Sequence, residues 1–170
     1  SVVIDADTFT CEDLNNNVVT LTITDVNGNS STCTSDVTVE DNVRPLAVCQ
    51  DITIFLDAQG NTSITADDID GGSFDNCNVD TLLASQTSFD CDDVGTVPVV
   101  LTAIDQSNND STCIAQVTVV DTVDPIAICQ NLTVQLDAQG QGSITPQQVD
   151  NGSNDACGIA SLTLDNSNFG

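Results

Sequence analysis

The chain has no lysine, histidine, tyrosine, tryptophan or methionine, and its only cationic side chain is Arg44. Against it stand 26 acids, all aspartate except Glu12 and Glu40, so the formal charge is −25. Phosphate backbones are neutralised by Lys and Arg, which excludes nucleic acid as a partner. Attraction to an anionic membrane surface is excluded on the same ground. Without His, Lys or Tyr, the usual general bases and most activators of a nucleophile are missing. Paired carboxylates can hydrolyse glycosides, but these aspartates sit in loops that recur along the chain, which suits a structural role. The chain is therefore read as not an enzyme. A Lys–Asn isopeptide cross-link is impossible. No apolar run approaches the ~18–20 residues of a membrane-spanning helix, so direct membrane insertion is not expected. No helical 3.6-residue periodicity persists anywhere.

What is present repeats. The stretch Ser31-Thr-Cys33 to Cys49-Gln50 returns as Ser111-Thr-Cys113 to Cys129-Gln130, an offset of 80 residues. All eight cysteines obey that offset: Cys11 and Cys91, Cys33 and Cys113, Cys49 and Cys129, Cys77 and Cys157. Internal repetition fixes the organisation before any other feature. It divides the chain into the C-terminal part of one module (1–44), a complete module (45–124) and the N-terminal part of the next (125–170). Wide cysteine spacings without His or Cys-x-x-Cys argue against zinc. They read as structural disulfides, which require an oxidising compartment, so an extracellular or cell-surface location is expected.

Within the complete module, Ile52–Leu56 reads as a strand that ends at the turn Asp57-Ala-Gln-Gly60. Ser63–Ala66, Val79–Ala84, Val97–Ile104 and Thr112–Val120 read as further strands. Asp67–Asn78 and Gln106–Asp110 read as loops. Pro98 is compatible with its strand only near an edge or a strand start. Short strands with regular turn signals predict an all-β fold of tandem antiparallel β-sandwich modules. Half a sandwich exposes a sheet face and an unpaired edge. The chain is therefore expected to be an excerpt of a longer array, or one unit of a homopolymeric filament completed by neighbouring copies of the same repeat.

The motifs Asp-x-x-x-Pro-x-Ala-x-Cys, Asp-x-Cys, Val-Gly-Thr, Leu-Thr-Ala-x-Asp and Ser-Thr-Cys before Val-Thr-Val resemble those of the hyalin-repeat (HYR-like) module. The likeness is to the four-cysteine version repeated in very large surface and secreted proteins of Bacteroidota. It covers the whole chain, with one departure: Asn15-Asn16 stands where the second copy has Gly95-Thr96. The resemblance implies immunoglobulin-like sandwiches with a role in adhesion or extracellular scaffolding. It also implies that the first and last strands of a module run parallel, which puts Cys49 beside Cys113. Cys77 and Cys91, flanking one strand, are then expected to form a local bridge. Cys11, Cys33, Cys129 and Cys157 are left to partners outside the chain. The alternative joins Cys33 to Cys49 and Cys113 to Cys129, stapling adjacent modules.

Calcium is the cofactor that the acids suggest, because hard cations take oxygen ligands. Asp25, Asn27 and Asn29 alternate as in a calcium loop, though without the downstream Glu. Asp105, Asn108 and Asp110 hold oxygens at the repeated place. Asp41, Asp121 and Asp124 lie where modules meet. The plainer reading is that Asp and Asn build turns there and keep the surface solvated. Thr81, Ser111 and Thr122 sit in Asp-Ser/Thr-apolar contexts resembling a bacterial O-glycosylation motif. Two functions remain: a structural repeat of a filament or adhesin stalk, and a carbohydrate- or protein-binding adhesion module. Phe9, Phe89 and Phe169 recur at the period and are expected in the core, leaving few aromatics for a binding face. The stalk is favoured.

Overall fold

Short β-branched and apolar runs broken by Asp, Asn and Gly are strand-and-turn sequence. In the computed structural model, which describes residues 1–169, they form an all-β fold of several mostly antiparallel sheets. The strands are β1 (Val2–Ile4), β2 (Asn15–Thr24), β3 (Ser30–Val39), β4 (Ile52–Phe55), β5 (Asn61–Ser63) and β6 (Val79–Ala84). They continue as β7 (Ser88–Asp90), β8 (Gly95–Asp105), β9 (Asp110–Val120), β10 (Gly142–Ser143) and β11 (Asn168–Phe169). β4, β9, β8 and β6 make one sheet in that order. β8 is internal, yet Pro98 fits, because β6 reaches along β8 only as far as Leu101.

Two compact units can be described separately. The first comprises Ser1–Gln50, Ala66–Ser85 and Val100–Ala115. Here β1, β2 and β3 form an antiparallel meander, with Val2 opposite Ile23 and Leu21 opposite Cys33. Its hairpin turns at Asp25–Asn29, where Gly28 takes a φ of 93°. β6 pairs with β8 through Leu82↔Ala103 and Ala84↔Leu101. Ile69, Leu101, Ala103 and Ala115 are fully buried in this unit. Asn15 has a φ of 79°, in the positive region that Gly95 also occupies at 126°. Asn is among the few residues that tolerate it, so the departure from glycine in the first copy is accommodated.

The second unit comprises Asp51–Thr65, Gln86–Val99 and Gln116–Gly170. β4 lies parallel to β9, Ile52 opposite Val117 and Ile54 opposite Val119. β5 pairs with β7, a short strand that composition alone did not mark. Leu56, Ile64, Phe89, Val99, Val117 and Val119 form its core. Phe89 is buried as expected, but Phe9 and Phe169 are 37% and 41% exposed. Their shared place in the repeat does not give them the same cover.

The Asp57 and Asp137 turns show how a bridge is accommodated. Each Asp accepts from the two backbone N–H groups at positions +2 and +4, at 2.9–3.0 Å. Each turn closes on a glycine of nearly equal φ, 76° at Gly60 and 75° at Gly140. A Cβ on Gly60 would stand 2.6 Å from Cys91 Sγ, whereas one on Gly140 would meet nothing within 4 Å. Gly140→Ala should therefore cost only the left-handed backbone penalty, about 1–2 kcal/mol. Gly60→Ala should add about 1–3 kcal/mol of overpacking. Urea unfolding of the two variants measures the difference, and equal losses would show that the sulfur yields freely.

Candidate metal centre

Three disulfides form: Cys11–Cys77, Cys49–Cys113 and Cys91–Cys157, spanning 66, 64 and 66 residues. The expected Cys77–Cys91 bridge does not form, which corrects the local pairing. The reason lies in the strand between them. The chain runs about 20 Å along Val79–Ala84 and then enters β7, which pairs with β5 rather than returning along β6, whereas a bridge needs Cα atoms within about 7 Å. Cys11 and Cys157, expected to pair outside the chain, instead take Cys77 and Cys91. Cys33 and Cys129 are exposed and free, so the stapling alternative of Cys33–Cys49 and Cys113–Cys129 does not form either. Three bridges are consistent with a protein of an oxidising compartment. Among the described residues, no helix is long and apolar enough to cross a membrane.

The Cys11–Cys77 bridge anchors the loop before β6, and that loop carries Asp75. Asp75 accepts from the Cys77 N–H at 2.8 Å. Asp41 follows the end of β3, and Asp105 ends β8. One carboxylate oxygen from each of Asp41, Asp75 and Asp105 lies within 4.8 Å of the others. Asp41 is 9% exposed and Asp105 is 2% exposed. Asp105 is held by its own hairpin: its carboxylate accepts from the Ser107 and Asn109 N–H groups, both at 2.8 Å, and from the Asn109 amide at 2.7 Å. Burial pushes its pKa up, but these hydrogen bonds outweigh it and hold the group below the usual carboxylate value. Asn109 also donates to the Asp41 carbonyl at 3.0 Å, which ties the hairpin to the end of β3.

Asp41 is less well served. Its Oδ1 accepts from the Val43 N–H at 3.0 Å. Its Oδ2 is buried with no hydrogen-bond partner. The Asn76 amide lies between two of the acids. In one orientation its nitrogen donates to Asp41 Oδ1 at 3.4 Å, and in the other to Asp75 at 3.2 and 3.3 Å. A single amide cannot serve both carboxylates that way. Two carboxylates whose oxygens lie within 4.8 Å repel by at least roughly 3 kcal/mol at an effective dielectric of about 20. The only side-chain cation, Arg44, is exposed and donates instead to the Asp110 carbonyl at 3.5 Å.

A second group, Asp121, Asp155 and Cys157, repeats Asp41 and Asp75 80 residues on, but its third member is the counterpart of Cys77 and not of Asp105. Asp155 Oδ2 is likewise buried and unpartnered. The Cys157 sulfur is in a disulfide and offers no thiolate. Asp41, Asp105 and Asp121 thus lie in clusters. The other sequence candidates do not. Asp25 is exposed and accepts within its own turn from the Asn27 and Asn29 N–H groups at 2.8 Å and the Asn29 amide at 2.9 Å, the same bonds that Asp105 makes in its hairpin, but it lies in neither cluster. These bonds, that of the Asn29 side chain foremost, hold its pKa low. Asn27, Asn29, Asn108, Asp110 and Asp124 are exposed and belong to neither cluster. Asp75 was missed. The signal available was its recurrence as Asp155, two residues before a bridging cysteine in both copies.

Of the glycosylation candidates, Thr122 is exposed, while Thr81 and Ser111 are half-buried. Thr81 Oγ1 donates to Asp80 at 3.0 Å, and Ser111 Oγ accepts from the Ala47 N–H at 2.9 Å. No protein-family model matches the chain, and no curated protein matches it either.

Proposed function

We propose that the chain is a structural repeat of an extracellular filament or cell-surface adhesin stalk, built from tandem immunoglobulin-like sandwiches of the HYR-like kind. The observation that carries this reading is the disulfide pattern. Cys11–Cys77 and Cys91–Cys157 are one bridge displaced by 80 residues, and each joins one sequence copy to the next. A lattice of covalent links at every period suits a load-bearing array. Cys129 and Cys33 stand at the places of Cys49 and Cys113, so each takes the matching bridge with the other part of its own module, on the same chain or on a neighbouring one. Burial supports the same reading. Val99, Leu101 and Ala103 are fully buried, whereas Val19, Leu21 and Ile23, at the same places one copy earlier, are progressively more exposed. The other part of their own module would cover them. A cation between acids of successive copies stiffens the joints, and no catalytic step is involved.

The competing reading gives each repeat a ligand. Phe55 and Phe74 are exposed, but Gln135 and Asn154 replace them one period on, so they do not make a contact repeated in every module. Two measurements test the stalk. Small-angle scattering on three complete repeats should show a rod whose length rises linearly with copy number, and a compact globule would overturn it. Non-reducing peptide mapping of the native assembly should recover Cys33-type peptides linked to Cys129-type peptides. Free thiols at both places would remove the continuous covalent array.

A further inference from the structure

Asp41, Asp75 and Asp105 arrive from three separate segments of one compact unit, yet present carboxylate oxygens within 4.8 Å of one another. Two ligands on one calcium ion, each at 2.3–2.6 Å, are at most about 5 Å apart, so these oxygens are spaced to share an ion. The chain has no lysine or histidine side chain to neutralise them. The decisive atom is Asp41 Oδ2, which is out of solvent and without a donor on a side chain that is only 9% exposed. Buried polar atoms are nearly always partnered, and each exception asks for a cause such as an ion. The exception recurs: Asp155 Oδ2, one period after Asp75, is orphaned beside Asp121, one period after Asp41.

We propose that Asp41, Asp75 and Asp105 bind a calcium ion. The ligands are all hard oxygens. Cys77 is locked in a disulfide and no imidazole is present, which disfavours zinc. Magnesium requires near-ideal octahedral geometry, whereas calcium accepts 6–8 oxygens in irregular arrangements and takes main-chain carbonyls and water readily. A cleft of about 490 Å³, lined by Asp41, Asn42 and the hairpin residues Gln106, Ser107 and Asn108, gives room for that water. The ion fastens the acid that closes one sequence copy to two acids of the next. This deepens the stalk reading, but its test does not depend on it.

The test is calorimetric titration of the 170-residue chain with calcium chloride and with magnesium chloride, paired with thermal unfolding in calcium and in EDTA. The expected result is saturable calcium binding, a higher midpoint in calcium, and a weaker response to magnesium. Asp41→Asn and Asp75→Asn should each weaken calcium binding at least tenfold. Asp25→Asn, in an exposed turn of the same design, should leave it unchanged. In EDTA, Asp41→Asn should unfold at a higher temperature than the parent, because a buried uncompensated charge is gone. A misfolded variant would instead fall in both conditions, and Asp75→Asn, which is only half-buried, then decides. Absence of binding heat and of a midpoint shift at 10-fold millimolar excess of calcium would overturn the proposal, as would both variants binding like the parent. Such a failure would leave the scattering and disulfide tests of the stalk untouched, and a globular array would leave calcium binding untouched.

Discussion

Replacing Cys11 and Cys77 together by alanine should lower the unfolding free energy by about 4 kcal/mol, the chain-entropy value for a loop of this length. The bridge closes 66 residues. Its stabilisation arises mainly from the unfolded chain, which loses the freedom to separate those ends. Loop closure depends only logarithmically on length, so Cys49–Cys113, closing 64 residues, should contribute nearly the same. Cys77 is also buried, so its lost sulfur adds a small packing term. For a chain of this size, roughly 2–4 °C accompany each kcal/mol, which puts the midpoint shift at about 8–16 °C. Urea unfolding of the double variant, with and without reductant, is the measurement. Reductant should bring the parent down to or below the variant. A double variant within about 1 kcal/mol of the parent would mean that the native contacts around Cys77 hold the copies together without the bridge.

That pair was the part of the framework hardest to read in advance. The 80-residue period gives every cysteine a counterpart, but periodic positions do not say whether a partner lies in the same copy or the next. Cys49 and Cys113 were legible because the parallel first and last strands implied by the resemblance put the starts of both at one end of a module. Cys11 and Cys77 required knowing which loop faces the end of the preceding copy, and no local pattern encodes that. The acids divide the same way. Asp41 and Asp105 stood out by position, one closing a copy and one opening a hairpin. Asp75 did not, since an Asp that accepts from the N–H two residues ahead looks like any turn-forming Asp. Asp25 has the Asp-x-Asn-x-Asn spacing of a calcium loop and makes the same turn bonds as Asp105, but it is exposed and lies in neither acidic cluster, a difference of burial that spacing does not encode. The recurrence of Phe9, Phe89 and Phe169 suggested three core residues, and only Phe89 is buried. Burial depends on which strands cover a site, and sequence phase fixes only the site.

Leu101→Ala should cost about 2–5 kcal/mol, the range for a fully buried leucine whose removal leaves a cavity. Leu101 is wholly out of solvent in β8, beside Val99 and Ala103, which are equally covered. Leu21 holds the same place in β2, opposite Cys33, but it is only half-buried and its neighbour Ile23 is 50% exposed. Truncating Leu21 removes less surface from the interior and lets water reach the gap, so Leu21→Ala should cost roughly half as much or less at ~25 cal/mol per Å² of apolar area. The inequality belongs to this chain standing alone. If the stalk reading holds, the N-terminal part of the same module covers the face of β2, and Leu21→Ala placed in a chain that includes that part should become as costly as Leu101→Ala. Paired urea titrations of both variants, in the 170-residue chain and in the extended one, read this directly. Equal costs in the 170-residue chain would show that Leu21 already has its full cover. A Leu21 cost that stays low in the extended chain would mean that the N-terminal part of the module does not pack on this sheet, and the array would then have to be held by its disulfides and ions alone.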